Sequence, residues 1–291
     1  MIRFDWLQGL KNKTSRWKSR RVRSARRRKS TPYVEALEDR TLLAGTVVVG
    51  ADAGGGPHVR VFGADTGEES FNFFPYDPIF SGGVRTALGD ISGDGVPDII
   101  TAPGPSGGPH IRTFDGQDGT PLDLNFFAYS TDFSGGVYIA AADLTGDNIA
   151  EIITGAGAGG GPHVQVFDGA TGNAIGGFFA YAPTFTGGVR VAAGDVNGDG
   201  TPDIITAPGP GGGPHIQVFD GVTVASGASV FPTDSIRSFF AYGPSFTGGL
   251  SVATADLDAD GQAEIITGAG AGGGPHVRVF HGSDSSEMFS F

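Results

Sequence analysis

The amino-acid sequence predicts an all-β fold, and three observations lead to this class. Glycine makes up 51 of the 291 residues, and Phe (22) far outnumbers Tyr (6) and Trp (2), a composition of tight turns and strand-forming residues. Only 17% of the residues are charged, so helical bundles and coiled coils are excluded. A Gly-Pro-His triplet recurs along the chain, which indicates a fold built from one repeated unit.

The repeat has a period of about 52 residues. The triplets end at histidines that are 52, 53, 52 and 61 residues apart. These histidines are His58, His110, His163, His215 and His276. The last interval is longer because residues 222–235 are inserted between two apolar runs.

Each period contains four short runs of β-forming residues, which predict strands A to D. In the fourth unit these runs are residues 187–195, 203–209, 215–221 and 237–242. Four strands at this period are typical of a β-propeller blade, since a rung of a parallel β-helix is shorter. Strand D carries a pair of adjacent Phe residues that point to opposite faces, so both faces of each sheet must be covered, as they are between two blades. The pairs are Phe73/Phe74, Phe126/Phe127, Phe178/Phe179 and Phe239/Phe240.

Residues 46–291 contain about 4.7 periods, which predicts a β-propeller of about five four-stranded blades. The first blade begins at strand B with Thr46, so the sequence predicts 19 strands and an incomplete first blade. Three sources of the missing inner strand stay open, namely residues 36–45, a partner chain, or a strand lost by truncation.

Residues 1–45 form a separate, basic segment that is expected to be disordered. Residues 1–30 hold twelve Lys or Arg against one acid and have no apolar period. Charge alone leaves contact with nucleic acid or an anionic membrane open. Residues 34–45 read Val-Glu-Ala-Leu-Glu-Asp-Arg-Thr-Leu-Leu-Ala-Gly and resemble the LEPR/LEDR-x-LL-A motif found behind a basic stretch in many planctomycete surface and secreted proteins. The resemblance implies export. No run of 18 apolar residues predicts a transmembrane helix.

From residue 41 onward the chain is strongly acidic. It has no Lys, six Arg and 27 acids, for a net charge of −21. Such a domain repels nucleic acid and attracts cations. Because the chain has no Cys, disulfide frameworks and thiolate zinc or iron–sulfur sites are excluded, and calcium is the expected source of extra stability.

The A–B connection, which we call the metal loop, carries oxygen-bearing side chains at positions 1, 3, 5 and 9 in all four copies. Together with a main-chain carbonyl at position 7, these are the ligands that Ca²⁺ prefers. The predicted ligands are Asp90, Ser92, Asp94, Val96 and Asp98 in loop 1; Asp143, Thr145, Asp147, Ile149 and Glu151 in loop 2; Asp195, Asn197, Asp199, Thr201 and Asp203 in loop 3; and Asp256, Asp258, Asp260, Gln262 and Glu264 in loop 4. Up to four calcium ions are expected. An EF-hand is excluded because position 12 of loop 3 is Thr206 and a strand follows. The alternative is an acidic β-turn without an ion.

Residues 191–209 resemble the FG-GAP/VCBS repeat of integrin α-chain propellers and their bacterial relatives, and the likeness extends over about 46–291. The resemblance implies calcium in the A–B loops on one rim and protein or glycan partners on the opposite rim. The family's Phe-Gly pair is replaced here, with Val191 and Leu250 near its position.

Three function classes follow. The first is a secreted or cell-surface calcium-binding module for adhesion to protein or glycan partners. The second is a structural surface or matrix component without a discrete ligand, and the third is a calcium-dependent enzyme acting on polysaccharide. No catalytic residues are predicted and the expectation is that the protein is not an enzyme, because no acid–base set stands apart from the repeat. The recurring histidines are read as turn residues, with a ligand-binding ring as the alternative, and the Phe/Tyr clusters as inter-blade core rather than a sugar platform.

Overall fold

The structure is a computed structural model that describes residues 45–291. These residues form 19 β-strands in five antiparallel sheets, together with one short α-helix and one 3-10 turn. The basic segment and the motif predicted to direct export lie outside the described residues. Among the residues that are described, no helix has the length and apolar character needed to cross a membrane.

Each sheet is one blade, and its strands lie side by side in chain order. Blade 1 has three strands and blades 2 to 5 have four each. The strands of blades 1 to 3 are β1 (Thr46–Gly50), β2 (Val59–Gly63), β3 (Glu69–Phe73); β4 (Val84–Gly89), β5 (Asp98–Pro103), β6 (His110–Phe114), β7 (Pro121–Phe127); β8 (Val137–Ala142), β9 (Glu151–Ala156), β10 (His163–Phe167) and β11 (Ala174–Phe179). Those of blades 4 and 5 are β12 (Val189–Gly194), β13 (Asp203–Pro208), β14 (His215–Phe219), β15 (Arg237–Phe240); β16 (Leu250–Ala255), β17 (Glu264–Ala269), β18 (Val277–Phe280) and β19 (Glu287–Ser290).

The predicted architecture is confirmed. The all-β propeller has five blades, the first of them lacks strand A, and the strand count agrees with the prediction. In blade 4 the strands begin within two residues of the predicted runs. The recurring triplet and the alternation of apolar runs with Gly-rich turns therefore sufficed to define the unit.

The hydrophobic core lies between blades rather than within any one sheet. Strands β5, β9 and β13 are buried along their whole length, as expected for sheets covered on both faces. Four buried clusters occur among the described residues, and each joins two consecutive blades. The first strands of neighbouring blades lie next to one another around the central channel, β4 beside β8, β8 beside β12, and β12 beside β16.

A tyrosine hydroxyl at the end of each of the first four blades reaches across to the next blade. It donates a hydrogen bond of 2.7 to 2.9 Å to the main-chain carbonyl of the next blade's Gly-Pro-His histidine. These tyrosines, which we call the latch tyrosines, are Tyr76, Tyr129, Tyr181 and Tyr242. Each also lies against a fully buried Thr of that next blade, for example Thr206 opposite Tyr181.

The junction between blade 5 and blade 1 is different. Val49 stands in the strand position that Thr101 occupies in blade 2, since each pairs with the corresponding Arg of the neighbouring strand. Val49 is 49% exposed, whereas Thr101 is fully buried. Within residues 45–291, no hydrogen bond joins blade 5 to blade 1.

The insertion in blade 4 forms helix α1 (Gly221–Ala225) and a 3-10 turn (Pro232–Asp234). Asp220 caps α1 by accepting a hydrogen bond from the Thr223 amide at 2.6 Å. Val224 is buried in the cluster between blades 3 and 4. A helix of five residues has too few turns to show an apolar period, which is why the sequence indicated an insertion but not its structure.

The Gly-Gly pairs before strand A explain much of the glycine content. Gly188 has a φ of 79°, and a Cβ there would lie 2.6 Å from the carbonyl carbon of Gly157 in the preceding blade. Only glycine satisfies both the left-handed backbone and this close approach between blades.

Candidate metal centres

The four metal loops occupy equivalent places at one rim of the propeller. Position 9 of each loop is the first residue of strand B, namely Asp98 in β5, Glu151 in β9, Asp203 in β13 and Glu264 in β17. The loop therefore runs directly into a strand, as predicted. Because strands A and B are antiparallel, the Gly-Gly and Gly-Pro-His turns lie at the opposite rim.

The loops fold back through left-handed residues at positions 4 and 6. In loop 3 these are Gly198 and Gly200, with φ of 79° and 88°. Asn148 takes position 6 of loop 2 with a φ of 67°, which confirms that this residue serves the turn in place of glycine. Ala259 at position 4 of loop 4 has a φ of 61°, and this left-handed conformation is energetically unfavourable for alanine.

The carboxylates at positions 1 and 5 accept hydrogen bonds from amides of their own loop. In loop 3, the two oxygens of Asp195 accept from the amides of Gly198 and Gly200, each at 2.7 Å. Asp199 accepts from the Thr201 amide at 2.9 Å. Equivalent bonds form in loops 1 and 2, so several acidic side chains are held in one small loop.

The carboxylates at position 9 are the buried members of the set. Each of Asp98, Glu151, Asp203 and Glu264 is at most 2% exposed. One oxygen accepts from the main-chain amide seven residues earlier, at 2.7 to 3.2 Å. The other oxygen accepts no hydrogen bond shorter than 3.4 Å within the described residues. Every loop thus contains a buried carboxylate with one oxygen left for another ligand.

Burial and neighbouring carboxylates disfavour the charged form of two of these groups. Burial, with smaller contributions from Asp147, Asp143 and Asp168, raises the pKa of Glu151 to about 7. In loop 3, burial raises the pKa of Asp203 to about 7, with additional contributions from Asp199, Asp220 and Asp195. A bound cation would reverse this effect by favouring the ionised form.

Positions 3 and 7 distinguish the loops. Position 3 is Ser92, Thr145, Asn197 and Asp258 in loops 1 to 4. Loop 4 is the loop whose carboxylates at positions 1, 3 and 5 lie within 4.8 Å of one another. In every loop the main-chain amide at position 7 donates a hydrogen bond to the position 5 carboxylate; the position 7 residues are Val96, Ile149, Thr201 and Gln262. That their main-chain carbonyls bind calcium stays a prediction.

Sequence reasoning missed residues that strand C brings to the loops. His281 Nδ1 lies 3.9 Å from Glu264 Oε1, and both belong with Asp258 to a cluster that could hold a metal ion. In blades 3 and 4 the same place after strand C is taken by Asp168 and Asp220, whose charges act on the pKa values of Glu151 and Asp203. The signal in the sequence is the Phe-Asp-Gly that ends the C runs of blades 2 to 4 and is replaced by Phe-His-Gly in blade 5.

The recurring histidines and aromatic residues divide between core and surface. Phe178 of blade 3 packs on Phe219 of blade 4, with ring centroids 4.4 Å apart, and equivalent pairs join the other consecutive blades. The second Phe of each pair instead stacks on the histidine of its own blade, as in His163 and Phe179 at 4.7 Å. Phe179 is 40% exposed. The inter-blade interpretation therefore describes the first Phe and the Tyr of each cluster, but not the second Phe.

The residue types in each loop are those that a hard divalent cation prefers, and among the described residues loop 4 is the loop that brings three of its acidic side chains within ligand distance of one another. Each loop offers three short oxygen side chains, at positions 1, 3 and 5, and one buried carboxylate oxygen without a short hydrogen bond, and the described residues contain no Cys. Loop 4 adds an imidazole nitrogen, which distinguishes it from the others.

Comparison with known proteins supports the repeat assignment. The FG-GAP repeat model matches residues 187–225 and 248–282, which include the metal loops of blades 4 and 5. No curated protein matches the chain.

Among solved structures, a chain of the mitotic checkpoint complex is similar with a TM-score of 0.51 and 12% identity, over 84% of this chain and 61% of that chain. A rhamnogalacturonan lyase from Bacillus licheniformis has a TM-score of 0.46 and 19% identity, over 80% and 50% of the two chains. The V. cholerae biofilm matrix protein Bap1 has a TM-score of 0.42 and 18% identity, over 84% and 35%. The chain thus spans less than two thirds of each of these structures, and at such identities the likeness concerns the fold alone. Taken with the repeat match, the geometry identifies blades 4 and 5 of this β-propeller as FG-GAP repeats.

Proposed function

We propose that residues 45–291 form a calcium-stabilised binding module that works outside the cytoplasm, secreted or at the cell surface. The observation that carries this proposal is the buried, half-bonded carboxylate at position 9 of all four metal loops. Burial beside other carboxylates disfavours the charged form of Glu151 and Asp203, and a bound cation would offset this cost in a domain of net charge −21.

Calcium, when bound, supplies positive charge and oxygen coordination that offset the repulsion among the loop carboxylates. The residues that would hold it are the side chains at positions 1, 3, 5 and 9. Saturation at a hundredfold excess over Kd adds about 2.7 kcal/mol per site to the free energy of unfolding. Four sites would contribute on the order of 10 kcal/mol.

The proposed role is binding of a protein or glycan partner rather than catalysis. The loop carboxylates make repeated contacts with their own backbone and so serve the blades themselves. The latches join consecutive blades from blade 1 to blade 5, and the rim opposite the metal loops is the surface left for a ligand. A screen for polysaccharide cleavage in the presence of calcium tests the enzyme alternative, and measurable turnover would replace the binding proposal.

Placement outside the cytoplasm is supported by three properties of the sequence, namely the export-like motif of residues 34–45, the absence of Cys and the acidity of the propeller. Protein recovered outside the producing cells is expected to begin near Gly45. Recovery of an intact Met1 terminus on protein that stays inside and holds DNA tightly at physiological salt would contradict the secreted role.

Thermal unfolding of the full chain tests the calcium proposal. We expect the melting temperature to rise by several degrees or more from excess chelator to millimolar calcium, because calcium binds only the folded loops. Equal melting temperatures in the two conditions would rule out the metal loops as calcium sites.

Replacing one predicted calcium ligand tests whether calcium binds at a specific loop or only responds to the overall negative charge. Asp199→Ala is expected to reduce the calorimetric stoichiometry by one ion per chain and leave the other loops occupied. Asp65→Ala is the matched control, because Asp65 is exposed and its side chain makes no hydrogen bond within the described residues. An unchanged stoichiometry in Asp199→Ala would identify loop 3 as a simple turn.

A further inference from the structure

One position on the innermost strands differs from blade to blade while the residues beside it repeat. It is occupied by Arg85, Tyr138, Arg190 and Ser251, which we call the channel ring. These residues have the same register, because each pairs with the corresponding Ala or Gly of strand B. The residue before each is a buried Val or Leu. The repeat therefore determines the neighbours of the ring and leaves the ring position free for another role.

Two cavities meet at the channel ring. One has a volume of about 550 Å³ and opens among the Gly-Gly turns and the Pro105 and Pro210 turns, at the rim opposite the metal loops. The other, of about 380 Å³, lies along the innermost strands and also reaches Gly50 and Asp52 of blade 1. Arg85, Tyr138 and Arg190 line both. The larger volume is in the range of pockets that hold small ligands.

The two arginines are short of hydrogen-bond acceptors. Arg190 donates no hydrogen bond to any described residue, and its Nη1 is buried without a partner. Arg85 donates one bond, from Nη1 to the carbonyl of Val137 at 2.9 Å. Both guanidinium groups lie over the ring of Tyr138, at 3.7 Å for Arg85 and 4.9 Å for Arg190. A guanidinium has five N–H donors, so most of these donors are unused.

The other four arginines of the described residues are satisfied in a different way. Arg60 and Arg278 pair with Glu69 and Glu287. Arg112 donates to the carbonyl of Pro75, and Arg237 to that of Gly282. Among the six described arginines, Arg190 is thus the one that donates no hydrogen bond and has a buried nitrogen without a partner.

The guanidinium groups of Arg85 and Arg190 also form no ion pair with the described residues. Asp52 and Asp132 line the cavities, but no carboxylate of the described residues lies within 4.0 Å of either channel guanidinium. Burial lowers the pKa of Arg85 and the charge of Arg190 also lowers it, while Tyr138 and Asp52 raise it in part. Two like charges in one cavity are unfavourable, and an anion between them would relieve the repulsion and accept the free N–H groups.

We propose that the channel ring binds the oxyanion group, carboxylate or sulfate, of an acidic saccharide unit through Arg190 and Arg85. Planar guanidinium groups suit such oxyanions because they donate parallel hydrogen bonds. The remaining wall of the larger cavity consists of Gly, Pro and Ala residues with Asp132, Ser134 and Phe133. Asp132 and Ser134 can hydrogen-bond to sugar hydroxyls, which favours a hydroxylated molecule over an apolar acid. This site deepens the proposed binding role by naming a ligand class, but it requires neither calcium nor secretion.

Calorimetric titration of the full chain with three matched sugars tests the proposal. Glucuronate and glucose 6-sulfate carry the two oxyanions, and glucose carries neither. We expect binding of one or both acidic sugars in the millimolar range or tighter, and none for glucose. Arg190→Gln is expected to lower the affinity for the acidic sugars by about tenfold or more, because hydrogen bonds to a charged group are lost. Arg60→Gln, at an exposed ion pair in blade 1, is the control and should bind normally.

Equal binding of glucose, no binding of either acidic sugar, or unchanged affinity in Arg190→Gln would overturn the proposal. If Arg190→Gln does not fold, chemical modification of arginines in the unaltered chain replaces it. We then expect glucuronate or glucose 6-sulfate to protect Arg85 and Arg190 from phenylglyoxal, and modification at an unchanged rate would count against the site.

The same titration on Asp199→Ala in calcium separates the two proposals. Acidic sugars should bind this variant as they bind the unaltered chain, because the metal loops lie at the other rim. Loss of sugar binding in the folded Asp199→Ala variant would contradict an independent channel site, even where the calcium proposal holds.

Discussion

Glu151 and Asp203 are carboxyl groups that the fold buries beside other carboxyl groups. Each has a pKa raised to about 7, from ordinary values of 4.5 and 3.8. The folded, metal-free protein therefore holds protons that the unfolded chain has already released at neutral pH. Such a group stabilises the fold at low pH, and its contribution is lost as the pH rises through the folded pKa.

In excess chelator, we expect the melting temperature to fall as the pH is raised from about 5 to about 8. Shifts of this size correspond to on the order of 3 kcal/mol per carboxyl group. The matched variant Glu151→Gln should lose part of this pH dependence, since an amide does not ionise. A melting temperature that rises with pH in chelator, or an equal pH dependence in Glu151→Gln, would contradict the raised pKa values.

The sequence assigned the side chains at positions 1, 3, 5 and 9 as calcium ligands because they recur within nine consecutive residues, and this assignment stays a prediction. It did not predict that His281 lies beside Glu264, because strand C is brought to the loop only by pairing within the sheet. The channel ring was also missed. Its residues differ between blades, and a search for repetition discards such positions.

At the scale of elements, the D strand has two different faces. The first Phe and the Tyr pack against the next blade, while the second Phe stacks on its own histidine and stays exposed. The sequence showed that both faces of strand D carry a Phe. Because strand D is the outermost strand of its sheet, only one of these faces is covered by the next blade. Backbone carbonyls of four of the five Gly-Pro-His histidines, all except His58, accept the latch hydrogen bonds, so the main chain of these four residues serves the repeat itself.

Removing one latch hydroxyl is expected to destabilise the propeller. The hydroxyl of Tyr181 donates to the carbonyl of His215 at 2.7 Å in a buried setting, so Tyr181→Phe should lower the free energy of unfolding by about 1 to 3 kcal/mol. Tyr242→Phe is the graded comparison, because its bond to the carbonyl of His276 is exposed and water can replace it. Denaturant unfolding of both variants measures the difference. An equal or larger loss in Tyr242→Phe would contradict the importance of burial.

At the scale of the whole molecule, the repeat period predicted the number of blades. The start of the first unit at strand B predicted that its inner strand is missing. The inserted helix α1 and the different character of the last junction did not follow. Both depend on contacts across blades, such as Val224 in the core of blades 3 and 4 and Val49 in place of a buried Thr. The sequence of a single repeat unit does not predict contacts between blades.

Within residues 45–291, the latch tyrosines hold the middle blades on more sides than the outer two. Blades 2, 3 and 4 are held by tyrosines on both sides, whereas blades 1 and 5 are each held on one side. When stability is passed between nearest neighbours, the terminal units fray first, so opening should start at blades 1 and 5 and move inward. Amide hydrogen exchange of the calcium-loaded full chain is expected to be fastest in β1 and β18 and slowest in β9 and β13. Uniform protection of these four strands would mean that the wheel opens as a single unit and has no weak end.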